Sequence, residues 1–221
     1  MATTLSREQI AALLEAVAAD MIERKDELTV LDAELGDGDL GRTVERGFTA
    51  IREALQSAAL QTTENPDEDL GRFLFRMGKL FSSAGASSFG ALFGTALMTG
   101  GMSLKDKHEA NLSELADATQ VALDALMERG KAKLGDKTML DAIAPAIVAM
   151  RAAVSEYGED AALANTFRAA ADAAQKGADD TKDMQSQIGR ASWQGERSAG
   201  KMDGGARAIA MMFEAAAKHF E

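Results

Sequence analysis

LDAELGDGDLGRTVERGF, residues 31–48, decides how the rest of the chain is read. It sets Asp32, Asp37 and Asp39 within eight residues, among Gly36, Gly38 and Gly41. One Asp-Gly pair is an ordinary turn signal. Three carboxylates at D-x4-D-x-D spacing repel one another unless a positive charge sits among them. Glycine lets the backbone turn at positive φ and approach a ligand closely. A polar, glycine-punctuated loop between two apolar-periodic segments suits a hard cation with a phosphate beside it. A calcium hand fails on register. Counted from Asp32, its sixth position is Asp37 rather than Gly and its twelfth is Thr43 rather than Glu; counted from Asp37, the twelfth is Phe48. Mg²⁺ carried in with a polyphosphate fits better, because it needs few protein carboxylates.

Outward from this loop the apolar spacing is helical on both sides. Before it, a Ser6–Gln9 capping box opens a stripe of Ile10, Leu13, Leu14, Val17 and Met21. After it come Val44, Phe48, Ile51 and Leu55, then a polar linker at 61–67 containing Pro66. Leu70, Phe73, Leu74, Met77 and Leu80 form a third stripe. The small-residue stretch SSAGASSFG, 82–90, leads to a fourth through Leu92, Phe93, Ala96 and Leu97, ended by Gly100-Gly101. Ser113 is expected to cap a fifth, with Leu115, Ala122, Leu123 and Leu126. RGKAKLGDK, 129–137, precedes a sixth carrying Ile143, Ile147, Met150 and Val154, with Pro145 as a kink site. Residues 159–180 form an alanine-rich seventh. After a polar stretch, Asp203 precedes an eighth through Ile209, Met212 and Phe213. No run alternates with the period of a strand, so the expectation is an all-α bundle of about eight antiparallel helices. In such a bundle, loops separated by an even number of helices emerge at one end. The loops 31–42, 82–90, 129–138 and 188–205 share that parity and are expected to meet on one rim.

The bulk numbers agree with this reading and narrow it. At 221 residues the chain is one domain, or two small ones, and can bury a core without staples. Cysteine is absent, which removes disulfides, thiolate metal sites and a cysteine nucleophile. A net charge of −11 argues against nucleic acid. MATTLSREQI lacks the basic start and apolar core of a signal peptide, and no apolar run has the length of a membrane span. The expectation is a soluble cytoplasmic protein.

The chemical candidates are electrostatic. In Ser82-Ser83 and Gly85-Ala86-Ser87-Ser88, small residues expose N–H groups and hydroxyls before a helix, a phosphate-friendly arrangement that is also common in ordinary turns. Arg190, in Gly189-Arg190-Ala191-Ser192, offers a guanidinium to a phosphate or to solvent. Gly135-Asp136-Lys137-Thr138 is not a P-loop: Asp136 stands where a glycine belongs, and no strand precedes it. His108 and His219 lie in charged surroundings, and no Ser-His-Asp pattern can be assembled. Any catalysis would rest on metal ions and donors gathered around a phosphoryl group.

Taken together, LDAELGDGDLG, RGF at 46–48, LFSSAGASSFGALFG at 80–94, RGKAKLGDKTMLDA at 129–142 and GRASWQGERSAGKMDGGA at 189–206 make the chain resemble a family. The family it resembles is that of the nucleotide-binding L subunit of dihydroxyacetone kinase, also found as the C-terminal domain of single-chain dihydroxyacetone kinases. The resemblance covers nearly the whole length, and implies a single L-type domain over 1–221. It implies an eight-helix barrel with the nucleotide at one rim. It implies that Asp32, Asp37 and Asp39 hold two Mg²⁺ ions on the polyphosphate of ATP or ADP. Leu40, Gly41, Arg42 and Thr43 would border the nucleotide, with Ser87 and Ser88 in a phosphate loop one residue longer here than in the family. Gly130, Thr138 and Met139 would line the adenine and ribose pocket, Arg190 would approach the phosphates, and Asp203 with Gly204 would close over the nucleotide.

Two departures stand out. The family has His where this chain has Leu40, so that role is lost or taken by Arg42, and Leu40 is expected on an exposed rim. The family has Pro where this chain has Gly204, which is expected to loosen that segment. The first departure hints at a related ketose such as a tetrulose. In the family the ketose is held on a separate K subunit, and the phosphoryl source is either free ATP or a bound ADP recharged by a phosphotransferase-system protein. The implied function is therefore the nucleotide half of a ketose kinase, inactive alone, with a homodimer also compatible. Competing readings are a nucleotide-sensing module that docks a transcriptional regulator, and a fatty-acid kinase domain, which the short length disfavours.

Overall fold

The computed structural model describes residues 4–57, 68–158 and 163–221. Its architecture is nine α-helices among these residues, with one two-stranded sheet: β1 (Thr4–Ser6), α1 (Arg7–Glu23), α2 (Lys25–Leu35), α3 (Leu40–Gln56), α4 (Leu70–Ala84), α5 (Ser88–Met102), β2 (Glu109–Asn111), α6 (Leu112–Gly130), α7 (Leu140–Tyr157), α8 (Leu163–Asp180) and α9 (Gly204–Phe220). Two 3₁₀ segments, Thr181–Asp183 and Arg190–Ser198, lie between α8 and α9. The all-α expectation holds. The proposed 61–67 linker lies outside the described residues, as does the start of the proposed 159–180 helix.

Each helix packs on the next in the order α1, α3, α4, α5, α6, α7, α8, α9, and α9 returns to α1, closing a ring of eight. The ninth helix, α2, packs outside the sequence of staves, against α3 and α9. Its own sequence, KDELTVLDAEL, buries only Leu28 and Leu35, and that thin stripe explains why its periodicity is weak in the sequence. Inside the ring Phe48, Phe81 and Phe93 pack edge to face or tilted, with centroids 4.7–5.8 Å apart. An apolar, partly open pocket of about 280 Å³ lies among the helices of the ring, lined among others by Leu14, Leu97, Leu126, Met150 and Met212. At the end where α1 begins, β1 pairs antiparallel with β2, Leu5 opposite Ala110.

Several helix boundaries differ from the sequence expectation, each for a local reason. The Ser6–Gln9 capping box is present. The cap of α6 is Asn111, not Ser113: Asn111 accepts from the Glu114 N–H at 2.9 Å and Glu114 accepts from the Asn111 N–H at 2.9 Å. Gly100 and Gly101 do not end α5. They lie buried within it, where a Cβ on Gly100 would press on the Ala118 carbonyl of α6 at 2.7 Å, so they serve close helix packing. Helix α6 ends on a left-handed turn at Lys131 (φ 51°). Helix α7 runs through Pro145. The amide that Pro145 lacks would have bonded the Asp141 carbonyl. Gly177 of α8 lies against that carbonyl, and its missing side chain lets the two helices meet there.

Candidate functional site

The parity expected of the loops is what the barrel shows. The junctions 36–39, 85–87, 131–139 and 181–203 gather at one end. Gly85 lies beside the first turn of α3, where a Cβ on it would sit 3.1 Å from the Thr43 carbonyl. Gln187 N–H donates to the Asp136 carbonyl at 3.2 Å, and the Lys201 ammonium donates to the Glu34 carbonyl at 3.0 Å. A Cβ on Gly205 would lie 3.6 Å from Met139. His108 and His219 are exposed and belong to the other end of the barrel.

The acidic cluster is built by two helix ends rather than by one long loop. Asp32 belongs to the last turn of α2, Asp37 to the connecting turn, and Asp39 to the N-cap position of α3. One oxygen from each carboxylate can be chosen so that all lie within 4.8 Å of one another. Asp32 also accepts the Leu40 N–H at 3.2 Å, fixing the end of α2 to the start of α3. The three glycines serve different ends. Gly38 has φ 73°, a left-handed turn. At Gly36 a Cβ would press on the Asp32 carboxylate at 2.5 Å, so glycine leaves that oxygen accessible. Gly41 is buried where α3 crosses the Lys25 carbonyl and Thr29 of α2. The cluster already has a counter-charge: Arg190 forms an ion pair with Asp37. A guanidinium paired with one of three clustered carboxylates brings positive charge where a cation is wanted, and the donor set fits a hard, oxygen-seeking divalent ion.

Ser87 is the N-cap of α5, accepting the Gly90 N–H at 3.1 Å, and Ser88 is the exposed first residue of that helix. The connecting loop is thus only 85–87, because Ser82 and Ser83 belong to α4. Gly130 ends α6 beside Leu92 of α5. Thr138 and Met139 precede α7, Met139 buried and Thr138 partly exposed. Arg42 is exposed, while Gly41 and Thr43 are buried.

Leu40 corrects an expectation. It is 5% exposed, part of the core rather than an exposed rim. It cannot donate to a phosphate; its side chain packs under the start of α9. Gly204 is likewise not a loose segment. It is the buried first residue of α9, and a Cβ there would lie 2.9 Å from Leu40 Cδ2.

Three polar residues that the sequence reading left without a role organise this end. Lys137 is buried at 2% exposure and donates to the carbonyls of Met184 (3.0 Å), Lys201 (2.6 Å) and Ser198. Asp141 accepts the Gly135 N–H at 2.6 Å and the Thr138 N–H at 2.8 Å. The T-x-x-D spacing of a capping box was the available signal for it. Asp136, also buried, accepts the Lys133 N–H at 2.9 Å. Asp203 caps α9, accepting the Ala206 N–H at 2.8 Å. Burial pushes its carboxyl up to about 6, with nearby Asp141 adding to the rise and the Ala206 N–H and Lys137 opposing it. Burial also lowers Lys137 from the ordinary ammonium range, with Asp203 opposing and Lys201 adding.

Fold and site together define a class: a closed ring of eight helices with a carboxylate cluster, a serine-capped helix N-terminus and an ion-paired arginine at one rim, an apparatus suited to a metal-bound phosphate ligand. The comparisons name it more narrowly. A family model described as the DAK2 domain matches residues 34–218, and the chain belongs to that family. The ADP-binding subunit DhaL of the PEP-dependent dihydroxyacetone kinase of Escherichia coli (strain K12) is 35% identical over 212 residues, covering 96% of each chain. D-erythrulose kinase of Mycolicibacterium smegmatis is 35% identical over 202 residues, 91% of this chain but 33% of that protein. The dihydroxyacetone kinase of C. freundii in complex with AMP-PNP and Mg²⁺ superposes with a TM-score of 0.72 at 28% identity, over 99% of this chain and 35% of that one. The chain thus spans nearly all of a stand-alone subunit and about a third of the longer kinases. No helix among the described residues is long and apolar enough to cross a membrane.

Proposed function

We propose that this chain is the nucleotide-binding subunit of a ketose kinase, residues 1–221 forming one L-type unit in the cytoplasm. The observation that carries the reading is the convergence of Asp32, Asp37 and Asp39 within 4.8 Å, Asp37 paired with Arg190, at the same barrel end as the α5 N-terminus. In this reading the three aspartates hold Mg²⁺, two ions, which neutralises charge on the phosphoryl oxygens when bound. Ser87, Ser88 and the free N–H groups at the start of α5 take phosphate oxygens. Arg190 exchanges Asp37 for a phosphate as metal arrives. Gly41, Arg42 and Thr43 border the polyphosphate through the first turn of α3, while Leu40 supplies a wall and no donor. Gly130, Thr138 and Met139 face adenine and ribose, and Asp203 with Gly204 closes the far side.

The described site offers carboxylates, hydroxyls and a guanidinium but no histidine to capture a ketose. The acceptor, dihydroxyacetone or erythrulose, is therefore held on a K-type partner that covers the acidic cluster. Transfer between two chains needs donor and acceptor aligned and water excluded. The phosphoryl source is ATP, or a bound ADP recharged by a PEP-dependent phosphotransferase protein, as the name of the E. coli relative suggests. The test is steady-state turnover with Mg-ATP and each ketose, titrating a K-type subunit, with a PEP-driven phosphoryl donor in parallel. Turnover is expected only with the partner. Robust turnover by this chain alone would refute the subunit reading.

A further inference from the structure

The segment 184–201 leaves the barrel end and returns to it. Its path is set by Gly189, Gly195 and Gly200, at φ 66°, 56° and 83°, and each has open space where a Cβ would go. These glycines therefore shape the backbone rather than let a neighbour approach. The segment carries Arg190, paired with Asp37, and Trp193, which is 82% exposed. In the 3₁₀ geometry of this stretch, residues three apart share a face, so Trp193 follows Arg190 on the same side.

The neck of this loop is closed largely by one side chain. The Lys137 ammonium has three protons, and they meet three carbonyls: Met184 where the loop leaves, Ser198 and Lys201 where it returns. Two further bonds cross the neck, Ser186 N–H to Ser198 Oγ at 2.9 Å and Gly200 N–H to the Lys182 carbonyl at 2.7 Å. Lys137 itself adopts φ 64°, a left-handed conformation uncommon for a lysine, and it immediately precedes Thr138 and Met139. Burying an ammonium is costly unless every donor is satisfied. A neutral hydrophobic side chain would fill this space without that cost, but it would leave three carbonyls unpaired. The ammonium thus fastens both ends of the loop to the turn that opens α7.

We propose that Lys137 is a positioning residue that clasps the 184–201 loop shut, holding Arg190 against the acidic cluster and thereby slowing nucleotide departure. It touches no nucleotide itself. The inference rests on the nucleotide-binding reading above.

The test compares wild type with Lys137→Met, which keeps the aliphatic stem and removes the donors, Lys137→Arg, which restores charge and donors, and Ser198→Ala, a milder neck variant. Dissociation of mant-ADP with Mg²⁺ is followed after a chase of unlabelled ADP. The emission of Trp193, the chain's single tryptophan, and trypsin cleavage within 184–201 are read without nucleotide. Lys137→Met is expected to release mant-ADP at least tenfold faster, to shift Trp193 emission and to be cut faster. Ser198→Ala is expected to show the same changes several-fold more weakly, and Lys137→Arg to recover part of the wild-type retention. A merely structural lysine would lower the melting temperature and leave these readouts of the folded protein unmoved. Wild-type release and emission in folded Lys137→Met would overturn the proposal; should that variant not fold, wild-type behaviour of Ser198→Ala would do so. If wild type holds no Mg-nucleotide, the functional reading fails, while tryptophan emission and cleavage still decide whether Lys137 clasps the loop.

Discussion

Leu40 and Gly204, the two positions that the family resemblance marks as departures, face each other. A Cβ at position 204 would stand 2.9 Å from Leu40 Cδ2. A bulky apolar residue on one side is thus matched by an absent side chain on the other. Gly204→Ala is expected to cost about 1 kcal/mol through overpacking, and Leu40→Ala roughly 2–5 kcal/mol through the cavity it leaves. The double variant should be less destabilised than the sum, by roughly 1 kcal/mol, because the shortened Leu40 makes room for the new methyl. Urea unfolding of the four proteins reads this directly, and strict additivity would show that the contact carries no strain.

Asp203 makes a second residue-scale prediction. Its folded carboxyl titrates near 6, above its ordinary value of 3.8. Below about pH 4 both folded and unfolded forms hold the proton. As pH rises towards 6 the unfolded carboxyl ionises first, so this residue's contribution to stability falls through that window, by about 3 kcal/mol at most. Glu27, Glu114 and Glu214, whose carboxyls are lowered, act in the opposite direction as pH falls. The difference between Asp203→Asn and wild type isolates the one group, since asparagine caps a helix equally well. The variant is expected to gain stability relative to wild type between pH 4 and 6 and to keep the gain at pH 7. A constant difference across that range would mean that Asp203 ionises normally.

At the scale of elements, the pairing of α7 with α8 turns on Gly177. Glycine to alanine within a helix ordinarily gains about 1 kcal/mol. Here the added methyl would run into the Asp141 carbonyl and lie 2.9 Å from Pro145 Cγ. Gly177→Ala is therefore expected to destabilise by roughly 1–3 kcal/mol, visible as a lower midpoint in urea with unchanged slope. A more stable variant would show that the α7–α8 contact can relax. The same contact also shows why Pro145 was legible from sequence as an interruption while its accommodation was not. A missing amide is a local fact, whereas the glycine that answers it lies 32 residues further on.

For the whole molecule, ligand linkage gives the broadest test. A Mg-nucleotide at about a hundred times its dissociation constant should add roughly 2.7 kcal/mol to folding. For a chain of this length that corresponds to an increase in Tm of roughly 5–10 °C. EDTA should remove most of the gain, and Asp37→Asn should abolish it while leaving far-UV circular dichroism intact. Absence of any shift with Mg-ADP or Mg-ATP would count against the site as a whole.

The acidic motif, the helical stripes and the even spacing of the four polar loops were readable in the chain because they are local or periodic. Asp32, Asp37 and Asp39 lie seven residues apart at most, and apolar spacing of 3.6 needs no partner to be recognised. From these the helical class followed, and with it a common rim for the loops. What only the tertiary structure decided depends on residues distant in sequence. Helix α2 was hidden because it packs through few apolar residues, and Leu40 lost its exposed rim because α9 begins on top of it. Arg190 found Asp37 across more than 150 positions. Lys137, which reads as an ordinary loop lysine, is buried because three carbonyls from another loop converge on its ammonium. Periodicity records which face of an element is apolar; it does not record which polar group on another element will satisfy a buried charge.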